Sequence, residues 1–244
     1  MQTTADIIEG ELMGLADSAQ AAHLSRFFKT GPGQYGEGDR FLGIRVPVTR
    51  SIVRPHVASA TPEDVRRLTD SPFHEVRLAG FLLLSGIYAR HRRRRDTEAM
   101  RRTVDLYLSL LDRGNNWDLV DVIAPGILGD WIVRNPDEAY ILDELAAMEE
   151  SLWHQRVAIV STWKIIRAGR YDDTLRLAQT LVGHTHDLMH KAVGWMLREA
   201  AKHGGTDAIT PFLDRHATTM PRTMLRYAIE RFPEPLRLHY LKMK

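Results

Sequence analysis

Apolar residues recur along this chain at helical spacing. Val104, Tyr107, Leu108 and Leu111 fall at i, i+3, i+4 and i+7. Leu188, Ala192, Trp195 and Glu199 form one stripe beside a second made of Met189, Val193, Met196 and Ala200. Strand-type alternation is nearly absent. Start signals combine a small polar residue with a proline and an acid: Thr61-Pro62-Glu63-Asp64, Ser71-Pro72 with Glu75, and Asn135-Pro136-Asp137-Glu138. The pattern predicts helices near 4–15, 18–29, 47–57, 62–69, 72–92, 96–112, 117–133, 137–149, 152–168, 172–183, 186–202, 206–216 and 220–231. Connections are short, and a helix pair returns every 35 to 40 residues or so, the spacing of HEAT-type solenoids. The expected fold is all-α, a curved α-solenoid of HEAT-like repeats forming one domain over residues 1 to 244, with a concave groove as its binding surface.

Two stretches interrupt the pattern. Gly31 to Gly38 is glycine-rich, but it lacks the lysine and hydroxyl residue of a phosphate-cradling loop and follows no strand, so nucleotide binding there is not expected. Pro125-Gly126 is expected to break or kink the helix after Asp121, because proline cannot donate to the carbonyl four residues back and its ring clashes with that group.

At 244 residues the chain can bury a sizeable core without staples. It has no cysteine, which removes disulfides, thiolate zinc sites and cysteine nucleophiles and fits a reducing compartment. No apolar run is long enough for a membrane span, and Asp6, Glu9 and Glu11 stand where an export signal would be basic and then apolar. A cytoplasmic protein without a membrane partner is expected. The formal net charge is +2, but the run from Arg90 to Arg95, continued by Arg101 and Arg102, and the arginines from Arg222 onward concentrate positive charge. A solvated helix end is the plain reading of the run at 90 to 95.

The candidate chemistry centres on Asn116-Trp117-Asp118-Leu119-Val120-Asp121. Asp121 sits inside the apolar run Leu119 to Ala124, one helical turn after Trp117. An acid placed beside an aromatic face suits a cationic guest. Trp153 with Arg156, Trp195, and Phe27-Phe28-Lys29 add further aromatic and basic groups. Each alone reads as core or solvated surface. Together, without metal ligands, they point to recognition of something cationic attached to phosphates.

Three blocks, Trp117 to Asp121, Trp153 to Ile159 and Lys191 to Glu199, with Phe41 to Pro47 before them, resemble in residues and order those of the AlkD-type DNA alkylation repair enzymes. That resemblance implies a HEAT-like-repeat DNA glycosylase of base excision repair, removing N3-methyladenine and N7-methylguanine without a pocket for a flipped base. Carried over by position, it makes Asp121 the catalytic carboxylate, with Trp117 and Trp195 as aromatic walls. It makes Arg156 a DNA-backbone contact, with Phe27, Lys29, Arg198 and Arg222 as further DNA-binding positions. Relatives can carry a tyrosine where Phe27 stands, so a hydroxyl contact to phosphate is absent here. The implied partner is double-stranded DNA containing alkylated purines, acted on by a monomer with no cofactor and no metal.

Three other readings are weaker. His184, His186 and His190 have partial zinc-site spacing but no His-Glu-x-x-His. No serine elbow is present. A non-catalytic HEAT-repeat scaffold binding DNA or a protein partner is the serious alternative.

Overall fold

A computed structural model describes residues 2 to 243, and among them the regular structure is helical, with a single isolated bridge between Arg40 and Phe73. The helices divide between two compact units, one ending at Leu119 and the other beginning at Val120. The first holds α1 (Thr4–Gly14), α2 (Ser18–Phe27), α3 (Val46–Val53), α4 (Pro62–Thr69), α5 (His74–Arg94) and α6 (Thr97–Ser109). A single turn of helix, α7 (Trp117–Asp121), crosses the boundary. The second unit holds α8 (Asp130–Arg134), α9 (Tyr140–Ala146), α10 (Leu152–Ile166), α11 (Asp172–Leu181), α12 (Asp187–Gly204), α13 (Thr210–His216), α14 (Arg222–Ala228) and α15 (Glu234–Lys242). No helix of the described residues is long and apolar enough to cross a membrane.

In the first unit α5 packs against α3, α4 and α6. Residues 74 to 84 of this helix are buried all round, as befits a helix at the centre of its unit. At its arginine-rich end Arg95 adopts the left-handed conformation that closes the helix, Arg93 to Arg95 are exposed, and Arg90 is half-buried and donates to the carbonyls of Val57 and Ala58. In the second unit α10 packs against α9, α11 and α12, and α12 packs against α14. Of the two stripes on α12, Met189, Val193, Met196 and Ala200 are fully buried, whereas Trp195 is half-buried. At Gly194 the two helices approach so closely that a Cβ would lie 2.5 Å from the Met224 carbonyl oxygen.

The start signals meet different fates. Thr61 and Asp64 make a reciprocal capping box on α4. Asn135-Pro136 opens only a short 3₁₀ turn before α9, where Glu138 accepts from the Trp131 indole at 3.0 Å. Ser71-Pro72 lies before a helix that begins at His74, and Glu75 does not cap it. The Glu75 carboxylate instead accepts the backbone N–H groups of Leu42 (2.8 Å), Gly43 (2.9 Å) and Ile44 (3.1 Å), pinning the block from Phe41 to Pro47 onto α5. Gly43 is required there, with φ of +91° and a Cβ position 2.3 Å from the Asp17 carbonyl oxygen.

The helix expected over 117–133 is divided at Pro125, as its ring chemistry demands. Hydrogen bonding restarts there through a wide turn closed by Gly129 N–H donating to Ala124 at 3.0 Å, and α8 follows. The pattern reading also stopped at residue 231 and missed α15, although Pro233-Glu234-Pro235 repeats the proline-and-acid signature used elsewhere.

A buried ionic cluster fixes the start of α7. His74 is 2% exposed and bonds Asp39 through Nδ1 at 3.0 Å and Asp118 through Nε2 at 2.9 Å. Arg77 pairs with the other Asp39 oxygen and donates to Asn115 at 3.0 Å and to the Ser71 carbonyl at 3.1 Å. Desolvation opposes the charge on His74, but its two carboxylate partners outweigh it and hold the imidazolium up to about 9. Asp39 is held below the usual carboxylate range by His74 and Arg77 against its own desolvation.

Two stability effects follow. Glu75→Gln turns one acceptor oxygen into a donor facing amide donors, so urea denaturation is expected to show a loss on the order of 3 kcal/mol. His74 binds its proton more tightly folded than unfolded, so its contribution is complete below about pH 6.5 and is lost as pH rises towards 9. The melting temperature is expected to fall across that window, and His74→Phe to flatten the fall.

Candidate functional site

Trp117 opens α7, its backbone N–H capped by the Asn116 side chain at 2.9 Å. Its ring continues a stack of aromatic planes: Trp117 on Phe28 (5.2 Å between centroids, 23°), Phe28 on Phe41 (5.1 Å, 16°) and Phe41 on His74 (4.5 Å, 21°). Phe27, the last residue of α2, is 57% exposed and stands edge-on to both Phe28 and Trp117. The stack therefore ends in a half-buried indole bordered by an exposed phenyl ring, a surface that presents π faces to the outside. Lys29 follows directly, exposed and in the left-handed conformation with φ of 54°.

Asp121 closes α7, four residues after Trp117, so the two lie one turn apart on the same short helix. The Arg156 guanidinium grips its carboxylate with both prongs, Nε to Oδ1 at 2.8 Å and Nη2 to Oδ2 at 2.7 Å. The remaining Arg156 nitrogen, Nη1, donates to the Leu188 carbonyl at 2.7 Å, tying α10 to the first turn of α12. The arginine side chain is 6% exposed and the aspartate side chain 16%. Such a fork fixes the plane of the carboxylate as well as its position. Trp195 lies two turns beyond Leu188 on α12 and thus on the same face of that helix.

The remaining positions divide by exposure. Arg156 is buried, with all three of its side-chain nitrogens engaged by Asp121 and the Leu188 carbonyl. Arg198 is engaged too, paired with Glu230, with its side chain 18% exposed. Arg222 is exposed and donates to the Leu241 carbonyl at 2.8 Å. Trp153 is half-buried near the start of α10. The three histidines of the zinc alternative face backbone groups: His184 Nδ1 accepts from His186 N–H, His186 Nδ1 from Leu188 N–H, and His190 bonds the His184 carbonyl. Among the described residues no three potential ligands gather as a metal site.

Sequence reading missed His74 and Asp39, which support the aromatic stack. Their partners are 35 and 44 residues apart in the chain, so no local pattern marks them. Asp118 carried a faint signal, being a second acid in an otherwise apolar turn.

Comparison with known proteins gives the family and the fold. The family model described as DNA alkylation repair enzyme matches residues 8–232. A solved structure from Enterococcus faecalis, described as a predicted DNA alkylation repair enzyme, has the same fold, with a TM-score of 0.70. It is 15% identical, over 90% of this chain and 97% of that one. No curated protein matches. With the family model covering all but the ends, the chain belongs to the DNA alkylation repair enzymes, and its work lies in the repair of alkylated DNA.

Proposed function

We propose that this protein is a DNA glycosylase that hydrolyses the N-glycosidic bond of cationic alkylpurines, such as N3-methyladenine and N7-methylguanine, in duplex DNA. The observation that carries the reading is the partly buried Asp121 carboxylate, fixed by a bidentate arginine and set one turn after a half-buried tryptophan. A carboxylate kept in that setting costs desolvation free energy. A scaffold that only binds has no use for it.

The chemistry needs little more. Alkylation at N3 or N7 leaves a positive charge on the purine, so the base departs neutral and requires no general acid, unlike the leaving group of an ordinary glycosidase. One carboxylate therefore suffices. As the bond stretches, positive charge moves to the deoxyribose. Asp121, already oriented, stabilises that charge and directs water to the sugar carbon. The indole faces of Trp117 and Trp195 add cation-π attraction for the lesion, about 0.5 to 2 kcal/mol each. Arg156 acts through Asp121, as the group that holds it, while exposed Phe27 and Lys29 meet the DNA directly.

Asp121→Asn is expected to bind methylated duplex as the parent does and to release free methylated purine about 10² to 10³ times more slowly in single-turnover assays. Unchanged rates would remove Asp121 from the mechanism. Arg156→Lys is expected to slow release at least tenfold, because a point charge cannot replace a planar fork. Its plot of log affinity against log salt should keep the parent slope. A slope shallower by about 0.9 would make Arg156 a phosphate contact instead.

A further inference from the structure

We propose that His74 is a positioning residue for the aromatic face that meets the lesion, holding Trp117 through the ring stack on one side and through Asp118 on the other. The inference rests on the reading that Trp117 faces the substrate. His74 is buried and lies on no surface a substrate could reach. Both routes from it nevertheless end at Trp117. Its ring lies against Phe41 at 4.5 Å and Phe28 at 5.2 Å, and Phe28 is the plane on which the indole rests. Its Nε2 is bonded at 2.9 Å to Asp118, the residue following Trp117 in a helix only five residues long.

The charge count makes the arrangement conditional. Among the described residues, the charged groups about His74 are Asp39 on the loop before Phe41, Asp118 on α7, and Arg77 behind Asp39 on α5. The Asn116 amide also points at Asp39, 3.4 Å away. Two carboxylates, one guanidinium and one imidazolium sum to zero. Without the imidazole proton the cluster holds an unmatched buried negative charge, and one carboxylate must pull away from the ring or draw in water. If Asp118 moves, the turn that carries Trp117 moves with it. A face that has shifted by a fraction of an ångström loses orientation towards the reacting nucleotide before it loses affinity for DNA.

The test uses the full-length protein and a duplex carrying methylated purines. His74→Gln is expected to keep its helical circular dichroism and its affinity for the duplex, and to lower the maximal single-turnover rate roughly tenfold or more. Adding Asp118→Asn to it restores charge balance and should recover much of that rate, which a merely structural loss would not allow. In the parent protein, the Trp117 indole N–H resonance, assigned through Trp117→Phe, is expected to shift with the same midpoint as the His74 ring signals on raising pH. A folded His74→Gln protein with the parent rate at every pH would overturn the inference. So would an indole signal that stays fixed while His74 titrates, a readout that serves even if the variant fails to fold. Parent protein that releases no purine would count against the glycosylase reading alone, and the indole titration would still decide the coupling.

Discussion

Pairing of charge where water is scarce is the constraint on which the structure rests. Asp39 and Asp118 are matched by His74 and Arg77, Asp121 by Arg156, and Glu75 by three backbone amides. Each pairing joins segments more than thirty residues apart, so each does what an apolar contact cannot: it selects one register of loop against helix. Hydrophobic burial brings α5 and α10 to the middle of their units. The ionic pairs then decide where the connecting segments lie against them.

Much of this was legible in the chain itself. Helical period, proline-led starts and short connections gave the all-helical class and most element positions, because each is a local property of the backbone. Pro125 announced the break in the helix for the same reason. Where the reading departed from the structure, a distant partner had intervened. Glu75 looks like the acid of a capped helix start and serves a loop thirty residues earlier. Arg156 carries no local sign of a partner and is gripped by an aspartate that only the fold brings within 2.7 Å.

The candidate site shows the same division. Trp117, Asp121 and Trp195 stood out because large aromatics and an acid in an apolar run are unusual in composition. Their supports did not: His74, Asp39 and the stacked Phe28 and Phe41 resemble any buried histidine or phenylalanine until the tertiary structure aligns them.

The brevity of α7 has a wider meaning. A helix of one turn has almost no hydrogen bonds of its own and cannot persist without outside anchors. Its pose is thus delegated to side chains elsewhere in the chain. A substitution at any of those anchors therefore reaches the pose of Trp117 and Asp121 without touching either residue, so the determinants of this turn's geometry lie well outside its own five residues.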